Sequence, residues 1–351
     1  MKIDVNNRKV CCVSDIHVGV HQNSAMWHDI TIEWARWLGK ELREKKITDI
    51  FIMGDLFHYR DEIAVNTIHV VADILNMWKD FNIVLLVGNH DAFYKDRSEI
   101  NSLSILHGWK NITVLSEPTK VEAFNRDLFF CPWGTKTSEI TPCDIVFGHF
   151  EIASFKFNQH KICEDGISSD ELLTRAPLTI TGHFHLREER QYKDGKILYL
   201  GNPFQMDFGD VYSTKGYYIL DLVTSDYEFY ENSISPVHQK VKLSELIEKG
   251  DINDEVKNIF NNNIVKLIID KNVAPDDIDI LLKRFLELQA ISITVDYDVN
   301  FNKFGLDEDG EHDLSGVDIT VAIEEFVNML DDVPDKQDII NYTVELYNSC
   351  K

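Results

Sequence analysis

Two spacings of apolar residues alternate along the first 230 positions of the chain. Short continuous apolar runs, "KVCCVS", "DIFIM" and "IVLLV", are separated by longer stretches with helical spacing, "MWHDITIEWARWLGKEL" and "IHVVADILNMWKDF". Continuous runs of about five apolar residues suit strands buried on both faces, and the 3.6-residue spacing suits helices packed across them. Their alternation predicts strands joined by helical crossovers. Beyond these, shorter strand candidates predominate: "ITVL", "LFFCPW", "DIVFG", "LTITG", "KILYLG", "GYYILDL" and "YEFYE". The pattern as a whole predicts an α/β fold, two mixed β-sheets sandwiched together with helices outside.

A cluster of turn formers, "NSISP" at Asn232 to Pro236, breaks this pattern. After it, "NIVKLIID", "PDDIDILLKRFLELQA" and "ISITVDYDV" predict a strand, a helix and a strand. That unit is too small to stand alone and is expected to pack as a cap. An acidic, glycine-containing stretch then reads as a linker. Two helical patterns, Ile319 to Leu330 and Gln337 to Tyr347, flank "DDVPD" at the end. The expected division is 1–234 for the main domain, 235–300 for the cap, 301–316 for the linker and 317–351 for a helix-loop-helix.

Length and charge narrow the classes of function. With 351 residues, 44% apolar and 27% charged, the chain reads as a globular protein of more than one domain. It contains no uninterrupted apolar run of the ~20 residues that a spanning helix needs, and "MKIDVNNRKVCCVS" lacks the features of a secretory signal. A cytoplasmic protein without membrane attachment is expected. Cys11, Cys12, Cys131, Cys143, Cys163 and Cys350 form no CxxC pair, so reduced thiols are expected. The net charge of −24 argues against a broad basic surface for nucleic acid. Residues 301–351 hold 13 Asp and Glu against 3 Lys and Arg, a solvated tail or a docking site for a basic partner.

The unusual polar residues fall at the ends of the predicted strands. Asp15 and His17 follow "VCCVS"; Gly54 and Asp55 follow "DIFIM"; Asn89, His90 and Asp91 follow "IVLLV"; His149 closes "DIVFG"; His183 and His185 follow "LTITG". Carboxyl ends of strands are where open α/β sheets bind ligands, so five such endings can meet in one cleft. Two carboxylates, an amide and several imidazoles without a thiolate suit Mn²⁺, Fe²⁺ or Zn²⁺ better than an all-oxygen site. Seven donors exceed what one tetrahedral ion takes, so two ions are indicated, bridged by a carboxylate. The remaining histidines, including His58, are expected to be structural. Trp27, Trp34, Trp37, Trp78 and Trp109 are expected in the core, while Phe93, Tyr94 and Lys95 follow the Asn89–Asp91 turn and are candidate substrate contacts.

The ordered series "DIH", "GD", "GNHD", "GH" and "GHFH" resembles the calcineurin-like metallophosphoesterase superfamily. More narrowly, "SDIHVG", "GDLFHYR", "VGNHDAFY" and "YLGNPFQMDFGD" resemble the SbcD-type DNA double-strand-break repair nucleases, including bacteriophage members. The motifs span roughly residues 10–210. The resemblance implies that Asp15, His17 and His185 hold one ion, that Asn89, His149 and His183 hold a second, and that Asp55 bridges them. It implies Mn²⁺, with Mg²⁺ as the alternative. His90 falls on the family's catalytic residue that binds no metal, with Asp91 as its orienting partner, and Gly88 is expected to let the chain turn sharply. His58 stands where these nucleases usually carry Asp, which leaves the hydrogen bonding behind the ions open.

The implied function is a two-metal exo- and endonuclease subunit of an SbcCD-like repair and recombination complex. It would form a homodimer and bind an SbcC-type coiled-coil ATPase through its C-terminal helices. Two alternatives share the fold: a generic phosphatase or cyclic phosphodiesterase, and a non-catalytic scaffold. Loss of ligands would mark the scaffold, and none is missing.

Overall fold

A computed structural model describes residues 5–159, 161–250, 252–271, 273, 275–297, 320, 323–324, 327–328 and 335–349. Its body is the expected sandwich of two mixed sheets. In the first sheet, β1 (Lys9–Val13), β2 (Asp49–Ile52), β3 (Asn82–Leu86) and β4 (Ile112–Leu115) run parallel. Strands β11 (Gly216–Asp221) and β12 (Tyr227–Glu231) add antiparallel beside β1, giving the order β12-β11-β1-β2-β3-β4. The second sheet comprises β5 (Thr119–Ala123), β6 (Arg126–Cys131), β7 (Ile145–His149), β8 (Leu178–Gly182), β9 (Glu188–Tyr192) and β10 (Gly195–Tyr199). Its order is β5-β6-β7-β8-β10-β9, parallel except for the two edge strands β5 and β9.

The continuous apolar runs exist because both faces of the central strands are covered. Val10, Cys12, Phe51, Val84 and Leu86 face the second sheet and meet Leu128, Phe130, Phe147 and Ile180. Cys11, Val13, Ile50, Ile52, Ile83 and Leu85 face the other way, under the helices Ala25–Glu44 and Val65–Met77. The first of these helices buries Trp27, Ile30, Thr31, Trp34, Ala35, Leu38 and Leu42, the stripe that its spacing predicts. The expected core tryptophans are in place: Trp27, Trp34 and Trp78 are buried, and Trp37 and Trp109 pack half-buried against the same core. All five described cysteines carry free thiols.

Parallel register brings the strand ends out on one side. Val13 pairs with Ile52, Ile52 with Leu85, and His149 with Gly182. The loops that follow are therefore neighbours, however far apart they lie in sequence.

The cap is larger than its sequence pattern indicated. A parallel sheet of β13 (His238–Lys242), β14 (Ile264–Ile269) and β15 (Ser292–Tyr297) carries the helices Leu243–Glu248, Asp254–Phe260 and Pro275–Leu286. Strand β13 went unread because "HQKVK" offers one aliphatic residue, Val241, and the two short helices lack a sustained period. The cap has its own core, with Phe260 stacked on Phe285 at 4.5 Å amid Leu243, Leu267 and Ile269. It shares one compact unit, Met1–Tyr297, with the sandwich; Asp298–Lys351 forms a second. The predicted linker 301–316 lies outside the described residues, as does most of the predicted helix Ile319 to Leu330, although Ile323, Glu324, Val327 and Asn328 are helical. The final helix runs Lys336–Ser349, slightly longer than expected, and exposes Ile339, Tyr342 and Leu346.

Phe51 holds the two sheets together: it is fully buried and meets Phe130 and Phe147 edge-on at 5.4 and 5.3 Å. Phe51→Ala is expected to cost about 3–5 kcal/mol. Urea unfolding checks this, through a lower midpoint at unchanged slope.

Candidate metal centre

The loops after β1 and β2 pair with each other before they deliver their side chains. Asp15 N donates to Gly54 O at 3.1 Å and His17 N to Asp55 O at 3.0 Å. The second sheet is tied on at the same level. His149 Nδ1 donates to Met53 O at 2.6 Å, and Trp133 N donates to Val87 O at 2.8 Å. Asp15, His17, Asp55 and His183 all take the left-handed backbone region, with φ of 55°, 49°, 54° and 95°. Non-glycine residues rarely adopt it, at ~1–3 kcal/mol each, and four together mark a site whose geometry outweighs local comfort.

The side chains converge as two donor groups. Asp15, His17 and His185 present ligand atoms within 4.8 Å of one another, and so do Asp55, His149 and His183, while His17 also forms such a group with His58 and His90. His17 Nε2 lies 2.9 Å from His185 Nε2. Asn89 Oδ1 lies 2.9 Å from His149 Nε2 and 2.8 Å from His183 Nδ1. Asp55 Oδ2 stands between the groups, 3.7 Å from His17 Nε2 and 3.4 Å from His149 Nε2. All seven residues expected to be ligands are thus brought together.

Burial controls the protonation of this cluster. It pushes His17 well below the usual histidine range, aided by His185, and lowers His183 to about 3, aided by His149. Both rings therefore offer lone pairs at neutral pH. Burial raises Asp15, and the neighbouring Asp55 charge adds to the rise. Burial would raise Asp55 too, but His149 beside it, through charge and hydrogen bond, outweighs burial and holds Asp55 well below the carboxylate range. His149 stands raised to about 9: burial opposes its charge, but the Asp55 carboxylate prevails through charge and hydrogen bond.

This donor set fits divalent ions. Two buried carboxylates, Asp15 and Asp55, lie close enough for the charge of one to raise the other, and cations shared among the donors relieve that conflict. An ion at His149 would displace the proton that this ring otherwise keeps. Backbone room has been kept for the arrangement. Gly88 is not left-handed, so the expected sharp turn is not its reason; a Cβ there would overlap the Asp55 carboxylate.

His90 lies against the cluster, with its ring centroid 4.6 Å from that of His17. Its Nδ1 donates to His58 O at 2.6 Å. Asp91 does not supply this orientation, contrary to expectation. Its buried carboxylate accepts from Gly88 N at 3.0 Å, Phe57 N at 3.0 Å and Leu56 N at 3.3 Å, binding the β2 and β3 loops together. Burial and the Asp55 charge raise Asp91 to about 7 against those donors. His58 is more than a packing residue, since its Nδ1 faces His17 Nδ1 at 3.3 Å and its ring stacks on His90 at 5.4 Å. Phe93 and Lys95 are exposed beyond this turn, and Arg97 covers Tyr94 at 4.1 Å. Trp133 was missed: its ring lies 5.0 Å from His183. The signal was present, because "LFFCPW" ends at the same level as the other five strands.

Residues 8–283 match the calcineurin-like phosphoesterase family. The chain is 24% identical over 352 residues, covering 97% of it and 98% of the relative, to a protein of Enterobacteria phage T4 named exonuclease subunit 1. A solved structure of an archaeal phosphodiesterase aligns over 64% of this chain and 99% of that one, at 13% identity and a TM-score of 0.37. No described helix is long and apolar enough to cross a membrane. With its strand-end donors and a match extending over most of its length, the chain belongs to the calcineurin-like phosphoesterase family.

Proposed function

We propose that the protein is a two-metal DNA nuclease, the phosphodiester-cleaving subunit of an SbcCD-like repair and recombination complex. The observation that carries the reading is the placement of Asp55 between two complete donor groups. Asp15, His17 and His185 are assigned to one ion, Asn89, His149 and His183 to the other, and Asp55 to both. Mn²⁺ suits the mixed nitrogen and oxygen donors, with Mg²⁺ second. The match to a phage exonuclease subunit over nearly the full length of both chains supports DNA as the substrate and a second subunit as partner.

A bound ion pair supplies an activated water and neutralises charge on the phosphate. The chain's residues do the rest. The carbonyl of His58 accepts a hydrogen bond from His90 Nδ1–H, leaving Nε2 as the atom that exchanges a proton with a substrate oxygen. Because the main-chain N–H of His90 donates to Asp55 Oδ1 at 2.8 Å, the acid and the bridging carboxylate keep a fixed distance. Phe93 and Lys95, exposed beside this turn, are placed to meet DNA, and the half-buried Trp133, whose Nε1 donates to Lys95 O at 2.8 Å, adds a wall beside them. The exposed Ile339, Tyr342 and Leu346 share one face of the last helix, which suits docking on an ATPase coiled coil.

The reading is tested on purified protein with Mn²⁺, comparing linear duplex and single-stranded DNA with a para-nitrophenyl phosphodiester. Cleavage of the small ester alone would favour a generic phosphodiesterase. His90→Ala is expected to keep two ions per chain by metal analysis and to lose about 10²- to 10⁴-fold in rate. An unaffected rate would remove His90 from the chemistry. Asp55→Asn should be worse than loss of any single terminal ligand, because both ions loosen together; retention of two ions and substantial activity would refute the bridge. Deleting residues 317–351 should abolish co-purification with the ATPase and spare cleavage of short single strands. Complex formation that survives the deletion would refute the docking role.

A further inference from the structure

The motif "YLGNPFQMDFGD" contributes no side chain to the donor cluster, yet its polar groups are buried around one main-chain atom of that cluster. Lys215, just beyond the motif, has a side chain only 4% exposed. Its Nζ donates to His185 O at 2.8 Å, to Asp210 Oδ1 at 2.5 Å and to Asn202 Oδ1. All three ammonium hydrogens are thereby used. Asp210 Oδ2 accepts from Met206 N at 2.9 Å and from Asn202 Nδ2 at 3.1 Å, and Asn202 Nδ2 also donates to Phe204 O at 2.9 Å. Gly201 closes the arrangement from the other side. Its φ is +71°, and a Cβ there would come within 2.8 Å of His185 O.

A buried ammonium is an expensive way to close a loop, since neutral side chains can satisfy turn carbonyls at far lower desolvation cost. What the charge adds is a short, directional grip on a chosen acceptor. That acceptor is the carbonyl of His185, a residue outside any strand or helix whose Nε2 must meet His17 Nε2. Fixing the peptide after His185 fixes the direction in which its imidazole leaves the backbone.

We propose that Lys215, seated by Asp210 and Asn202, is a positioning residue for the ion assigned to Asp15, His17 and His185. The inference rests on that assignment. Lys215 acts through the His185 main chain and touches neither ion nor substrate.

The test is calorimetric titration of Mn²⁺ into full-length, metal-stripped protein with no nucleic acid present. Lys215→Met should weaken one of the two ions by about 10- to 100-fold and leave the other unchanged, with both bound at high Mn²⁺. Lys215→Met with Asp210→Leu removes the stranded carboxylate too, and it decides the matter if the single variant fails to fold. A folded variant that binds both ions at wild-type affinity overturns the inference. So does equal weakening of both ions, which is what a general loosening of the fold would produce. His185→Ala, run alongside, separates two failures. If it loses one ion while Lys215→Met loses none, only the role of Lys215 falls; if it keeps both ions tight, the ion assignment is wrong and the inference falls with it.

Discussion

The structure is organised around one carboxylate that is almost completely enclosed. Asp55 is 1% exposed and meets three elements at once: His17 after β1, His149 at the end of β7 and the main chain of His90 after β3. A buried carboxylate without compensation would protonate or drag water inward. Here it stays ionised because the charged His149 beside it and the main-chain N–H of His90 offset its burial, and both are in reach only if two separate sheets end at the same height. The sandwich, its parallel register and its short strand-to-loop turns can all be read as conditions for compensating that charge.

Those conditions carry a cost in backbone conformation. Four left-handed residues at ~1–3 kcal/mol each amount to a sizeable part of the ~5–15 kcal/mol by which a typical domain is stable. They persist because the loops carrying them are clamped from behind. Three main-chain N–H groups from the β2 and β3 loops converge on Asp91, and Met53 O and Val87 O receive donors from the second sheet. The clamp is anchored in turn by the apolar layer between the sheets, where Phe51, Phe130 and Phe147 interlock. Core packing and site geometry are therefore linked within a few residues: Phe51 is followed by Met53, whose carbonyl orients His149, and then by Asp55.

Much of this was legible in the chain because the same grammar repeats. An apolar run ending in a polar donor occurs five times, and each occurrence states both an element and its destination. What stayed hidden lacked that grammar. Strand β13 has too few aliphatic residues to show a period. The role of Asp91 could not be inferred from its place beside His90, because its partners are main-chain groups whose direction depends on two loops meeting. Gly88 looked like a hinge, yet its lack of a side chain matters as empty volume. Trp133 followed the grammar but was overlooked, because an indole is not a metal donor. Lys215 carries no signal either, since nothing in "VYSTKGYY" betrays that its ammonium is drawn inward by Asp210.

On the proposed nuclease reading, the surplus of negative charge takes a specific meaning. A chain at −24 repels a polyanion at long range, and the acidic segment after residue 300 adds to that field. The two ions would bring concentrated positive charge at the bottom of the cleft, where Asp15 and Asp55 already offset part of it. Attraction for phosphate is then confined to the place of reaction, while the remaining surface contributes little grip along the nucleic acid. Such a subunit cleaves what is presented to it and holds poorly what it meets alone. On that same reading, the division would suit a chain whose last helix exposes an apolar face: a partner docked there would supply grip on DNA, and cleavage would be limited to ends or strands that the partner delivers.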